Sequence, residues 1–209
     1  MKTRKHEFTL IEILTVILII GVLAGMLFPV VGHIQERGRI AEAKTLVSGM
    51  KAAVLAYQTE YNCLPNPGNA TAEGHLGKWE CASETADPGK DQNYLKLCSI
   101  LAFTNCEQAN QAGNVSTTAA NLNPHGTRFM SPTKNMFKKE SLGICDPWDF
   151  ELVVFMDYDG DGQVKSTNAF DSSGATTYLS PVVVFCRGSQ STKVLSKITK
   201  NNIICSERR

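Results

Sequence analysis

The sequence holds no CxxC pair, no GxxxxGK[ST] phosphate loop, no HExxH and no GxSxG. Without paired thiols at that spacing a structural zinc site has no ligand set. Without the other three, phosphate cradling, zinc proteolysis and the nucleophile elbow each lose their signature. The four histidines, His6, His33, His75 and His125, are scattered, and no Ser, Cys and His combine into a nucleophilic site by spacing. An enzyme is therefore not expected. Charge of one sign is lacking too: 21 Lys and Arg face 20 Asp and Glu, a net of +1. No bulk electrostatic case exists for nucleic-acid binding. The cluster Lys134, Phe137, Lys138 and Lys139 reads as a solvated face.

What the 209 residues do contain is strongly asymmetric. From Phe8 to Val31 the chain is almost wholly apolar, about 24 residues that as a helix span a hydrocarbon core of about 30 Å. Lys2, Arg4 and Lys5 precede the run, which by the positive-inside rule holds the N-terminus in the cytoplasm and places everything after Val31 outside. The run is too long for the core of a secretory signal peptide. All seven cysteines, Cys63, Cys81, Cys98, Cys106, Cys145, Cys186 and Cys205, lie beyond it, as in an oxidising compartment where disulfides form. The odd number leaves at least one unpaired or paired between chains. Connectivity stays open, with Cys98–Cys106 and Cys186–Cys205 as local candidates.

Glu12 interrupts the apolar run, and a carboxylate there is costly. Two readings stand side by side: it reaches back to headgroups or Lys5 at the interface, or it meets a cation supplied by a neighbouring chain.

From Ile40 the apolar positions Ala43, Leu46, Val47, Met50, Ala53, Val54, Tyr57 and Tyr61 recur at three and four residues, with Arg37, Arg39, Glu42, Lys44 and Lys51 on other faces. That is one stripe on an amphipathic helix. A single helix from about Phe8 to Tyr61 is predicted, about 80 Å long, bent at Pro29 where one ladder bond is missing. Cys63-Leu64-Pro65 and Pro67-Gly68 stop it. Residues 66–132 read as loops with one short helix near Tyr94 to Phe103. Strands are predicted at Phe150–Met156, at Tyr178–Cys186, which Pro181 makes either late in starting or an edge strand, and at Asn202–Cys205. The fold class is α+β, one long helix on a small antiparallel sheet. The predicted divisions are a basic leader 1–7, a transmembrane segment 8–31, an amphipathic half 32–62 and a globular region 63–209.

Phe8-Thr9-Leu10-Ile11-Glu12 after a short basic leader resembles the N-terminal signature of type IV pilins and the pseudopilins of type II secretion. The resemblance covers about the first quarter of the chain. It implies that a prepilin peptidase cuts between Glu7 and Phe8 and that the new amine is methylated. It also implies that Glu12 pairs with the terminal amine of an adjacent subunit, and that Pro29 is the proline that kinks the helix. The family carries Gly where this chain has Glu7. Cys145-Asp146-Pro147-Trp148 is similar to the Asp-Pro-Trp-Gly-Asn-Pro string of major pseudopilins, with Asp149 in the place of Gly and no Asn-Pro. That string favours a secretion pseudopilin. The implied partners are like subunits in a filament, other pseudopilins, an inner-membrane assembly platform and the peptidase; the implied location is the inner membrane, single-pass, with the globular part periplasmic. Alternatives are an adhesive or DNA-uptake pilin and a membrane-anchored calcium-binding domain that never polymerises.

Asp157-Tyr158-Asp159-Gly160-Asp161-Gly162 sets three carboxylates two apart, as in the first half of a DxDxDG calcium loop, with the Gln163 carbonyl as a further ligand. The twelfth position is Asn168 rather than Glu, Asp171 would serve only by another path, and the flanks read as strand, so it is not an EF-hand. Calcium binding and a plain Asp-Gly hairpin turn both fit. The late loop that holds calcium in major pseudopilins corresponds here to Arg187–Lys193 and has no carboxylate.

Overall fold

A computed structural model describes residues 9–68, 74–76, 92–106, 115–131, 143–166, 176–186, 188 and 204–207; within these, the side chains of residues 26–33, 74 and 75 are not described. The chain divides into two compact units, Met1–Arg39 and Ile40–Arg209.

Helix α1 runs from Leu10 to Tyr61 and is helical through Pro29 and across the division. In the first unit its apolar side chains from Leu10 to Leu23 are 51 to 83% exposed, among them Ile19 and Ile20 in succession. Successive residues point to different faces of a helix, so this segment is apolar all round. Among the described residues no helix is long and apolar enough to cross a membrane; the later part of the apolar run, 26–31, belongs to the stretch whose side chains are not described.

The second unit is built on the predicted stripe. Ala43, Leu46, Val47, Met50, Ala53, Val54 and Tyr57 are buried, and Tyr61 packs against them. α1 ends where Asn62 turns left-handed at φ 53°, a conformation Asn tolerates at a helix terminus. The buried face meets α2 (Gln92–Ala102), which supplies Tyr94, Leu97, Ile100 and Leu101 to the same core. Short α3 (Thr117–Leu122) is capped by Ser116, whose Oγ accepts the Ala119 N–H at 3.0 Å. Buried Asn123 then binds the group together: its Nδ2 donates to the carbonyls of Ile100 and Thr127, and its Oδ1 accepts from Tyr61 Oη–H at 2.7 Å.

On the other side of the core lies an antiparallel sheet in the order β1 (Gly74–Leu76), β2 (Val153–Met156), β5 (Val182–Cys186), β6 (Ile204–Cys205). Val153 pairs with Phe185 and Met156 with Val182. Val154, Met156, Val182, Val184 and Cys186 join the core that α1 and α2 fill. The alternate residues Val153, Phe155, Val183 and Phe185 pack with Val164 and Tyr178, which belong to a separate two-stranded sheet, β3 (Val164–Ser166) with β4 (Thr176–Tyr178). Phe185 meets both Phe155 and Tyr178 edge to face, at 5.5 and 5.8 Å. β2 and β5 are thus covered on both faces, which is why they read as unbroken apolar runs rather than alternating ones.

The architecture matches the α+β expectation, with local corrections. β2 starts at Val153 rather than Phe150, because residues 145–151 form a tight turn closed by a Cys145–Glu151 bridge. In the predicted Tyr178–Cys186 stretch the strand does start late, at Val182 after Pro181, and Tyr178 instead ends β4. α3 and β1 appear where loops were expected. The Asp157–Gly162 segment is not a hairpin turn: β2 and β3, which flank it, belong to different sheets.

The candidate disulfides fare differently. Among the described residues no disulfide is present. Cys98 and Cys106 do share the main core. Cys186 and Cys205 cannot bridge in this register. Cys186 pairs with Ile204 and Phe185 with Cys205, so the two sulfurs sit on opposite faces of the sheet, Cys186 in the main core and Cys205 against the second cluster.

Candidate functional site

Glu12 stands at the start of α1, and the sequence folds locally around it. The Thr9 carbonyl accepts the N–H of Ile13, so Thr9 caps the helix and Glu12 is its third residue. Glu12 Oε2 accepts from Thr9 N–H at 2.8 Å and from Thr9 Oγ1–H at 2.9 Å, and Thr9 Oγ1 accepts the Glu12 N–H at 3.4 Å. This is a reciprocal capping box. Within the single chain the Glu12 carboxylate therefore satisfies the Thr9 amide at its own helix start, a partner that neither reading of the sequence included. The group is exposed, and the exposed apolar residues Leu10, Ile11, Ile13 and Leu14 flank it in sequence. Glu7 and Phe8, the predicted processing pair, lie outside the described residues.

The acidic loop does come together. One oxygen from each of Asp157, Asp159 and Asp161 lies within 4.8 Å of the others. Gly160 and Gly162, both at φ 76°, let the backbone curl back on itself. Asp157 is the anchor: Oδ1 accepts Gly160 N–H at 2.7 Å and Oδ2 accepts Gly162 N–H at 2.8 Å. Burial pushes the Asp157 carboxyl up, but hydrogen bonding with Asp159 and with the amides of Gly162, Gly160 and Asp161 outweighs it and holds the group below its ordinary value. Asp161 Oδ1 accepts the Gln163 N–H at 2.8 Å, and Lys165 approaches Asp161 Oδ2 at 3.5 Å. The donors are hard oxygens, converging but too few for calcium's six to eight without carbonyls or waters. Asn168 and Asp171 lie outside the described residues.

Sequence reading missed a second buried carboxylate. Asp146 is 1% exposed. Its Oδ1 accepts the N–H of Trp148 and of Phe150, each at 2.9 Å, and Cys186 Sγ–H donates to its Oδ2 at 3.2 Å. Burial raises it to about 6 against the effect of these donors. The Asp-Pro-Trp string was the available signal; Cys186, far along the chain, was not. In the same turn Asp149 has φ 72°, the left-handed conformation that suits the Gly of the related string.

The chain is 38% identical to the fimbrial protein of Neisseria meningitidis serogroup B over 74 residues, 35% of this chain and 42% of that protein. It is 34% identical to the type IV major pilin protein PilE of Neisseria gonorrhoeae over 83 residues, 38% of this chain and 50% of the relative. It is 34% identical to the type IV major fimbrial protein FimA of Dichelobacter nodosus over 77 residues, 37% and 48% of the two chains. The chain spans about half the length, or less, of these curated relatives. No family model matches, and no solved structure matches. Over about a third of its length the chain is similar to type IV pilins, and its α+β architecture, a helix packed on a small antiparallel sheet, is consistent with the pilin fold.

Proposed function

We propose that this chain is a structural subunit of a filament in a type II protein secretion machine. It is held in the inner membrane by the apolar part of α1 until assembly, with unit Ile40–Arg209 on the far side. The observation that carries this reading is an N-terminal helix apolar on every face with one carboxylate, Glu12, at its start. Such a surface is stable only in lipid or against like helices. The partners are then further copies, other pseudopilins, the assembly platform and the prepilin peptidase, which acts between Glu7 and Phe8. The test is mass spectrometry of the N-terminal peptide from native membranes. N-methylated Phe8 is the expected first residue; an intact Met1 leader in every copy would leave a permanent anchor and remove the assembly reading.

A pilus subunit, adhesive or for DNA uptake, is the second reading, favoured by the pilin and fimbrial names of the relatives. Deleting the gene separates the two: loss of secreted proteins marks the first, loss of surface fibres with normal secretion marks the second.

The Asp157, Asp159 and Asp161 cluster is proposed to take calcium. The support is the convergence of three carboxylate oxygens within 4.8 Å, which repel one another until a cation or protons intervene. Full-length protein in detergent is expected to melt higher with calcium than with chelator, by about 2.7 kcal/mol at a hundredfold excess over the dissociation constant. Asp159→Asn with Asp161→Asn should abolish the difference. An identical melt with and without calcium in the unaltered chain would sink the assignment.

A further inference from the structure

Seven cysteines cannot all pair within one chain. The sheet and the turn beside it single one out. Cys186, the last residue of β5, is fully buried. Its Sγ–H donates to Asp146 Oδ2 at 3.2 Å, and its Sγ accepts the Gly188 N–H at 3.4 Å. Asp146 in turn depends on that thiol. Oδ1 is occupied by the amides of Trp148 and Phe150, and water has almost no access to the group. The local candidate for Cys186, Cys205, is on the opposite face.

We propose that buried Cys186 stays a protonated thiol donating to Asp146, and that this thiol–carboxyl contact, not a disulfide, fastens the 145–151 turn to the end of β5. The proposal adds to the filament reading and does not depend on it. A disulfide at Cys186 would remove the S–H donor and leave a buried carboxylate oxygen without it. Exchange also needs the thiolate. Burial, and next the adjacent Asp146 charge, push the Cys186 thiol well above its ordinary value, so at neutral pH that species is scarce.

The test uses full-length protein from native membranes, quenched in acid and unfolded in guanidinium without reductant. A first alkylating label is applied, then reductant, then a second label of different mass. Cys186 is expected to carry the first label in nearly every copy. It should resist the first label when guanidinium is left out. A disulfide-linked peptide containing Cys186, or the second label on it, overturns the proposal. Two variants check the fastening itself. Cys186→Ser keeps an O–H donor for Asp146 and should melt closer to the unaltered protein than Cys186→Ala, which leaves Asp146 with no donor at that oxygen. Equal melting of the two variants would show that the contact fastens nothing.

Discussion

Glu12→Gln is expected to leave the globular unit folded and the protein in the membrane fraction, and to abolish the filament. Glutamine keeps an oxygen that can accept from Thr9, so the capping box at the start of α1 largely survives. What it loses is the charge. In the proposed filament Glu12 faces a cation from the adjacent subunit amid apolar helices. Removing one partner of such a pair leaves the other uncompensated, at about 3–5 kcal/mol. That corresponds to about a hundredfold loss or more per contact, repeated at every subunit. Glu12→Ala removes charge and cap together and should fail in the same way. The measurement is the yield of sheared filaments, with circular dichroism on the membrane-extracted protein to show intact folding. Assembly by the Gln variant with failure of the Ala variant would reduce Glu12 to a helix cap and sink the intersubunit role.

The largest effect on stability is expected at Tyr94. Its side chain is wholly buried and ties α2 to the segment that leads into β2. Oη–H donates to the Ile144 carbonyl at 2.6 Å, and the same oxygen accepts the Leu152 N–H at 3.3 Å. The ring runs so close to the following backbone that a Cβ at Gly143 would stand 3.0 Å from it. Tyr94→Ala should cost on the order of 4 kcal/mol through cavity and lost burial. Tyr94→Phe preserves the shape and isolates the hydroxyl. It should cost about 1–3 kcal/mol, the penalty for a buried carbonyl and amide left without that partner. Urea melts of both variants at the same pH give the two figures. A Phe variant as stable as the unaltered chain would mean that water or another group reaches Ile144 and Leu152.

The long helix was legible because a stripe at three- and four-residue spacing has one geometric meaning. Every position in it from Ala43 to Tyr57 is buried. The central strands were legible for a different reason: Val182 to Phe185 is apolar throughout, and β-branched residues suit a pleated sheet covered on both sides. β1 escaped because Gly-His-Leu has no pattern of its own; β2 recruits it, pairing Gly74 with Met156. α3 escaped because six residues of Thr, Ala, Asn and Leu give too short a period to read, although Ser116 is a sound cap. The acidic loop could be read because its three carboxylates are neighbours in sequence. The Asp146–Cys186 contact could not, since it joins residues 40 apart and exists only once β5 lies beside the 145–151 turn. The Cys186–Cys205 pairing failed on a point that spacing never carries: which face of the sheet each sulfur takes.

That last point reaches into biogenesis. β5 and β6 are held by two residue pairs and by Lys51 of α1, which donates to both Ser180, just before β5, and Glu207, just after β6, at one end of the pairing. A slip of one residue between the strands would turn Cys205 toward the α1 side, where Cys98 and Cys106 also lie. In an oxidising compartment such a slip could be made permanent by a covalent bond, so a transient error of folding would become a chemical one. Through Ser180 and Glu207 the Lys51 clamp ties both strands to α1, and in the register it holds, the sulfurs of Cys205 and Cys186 stay on opposite faces.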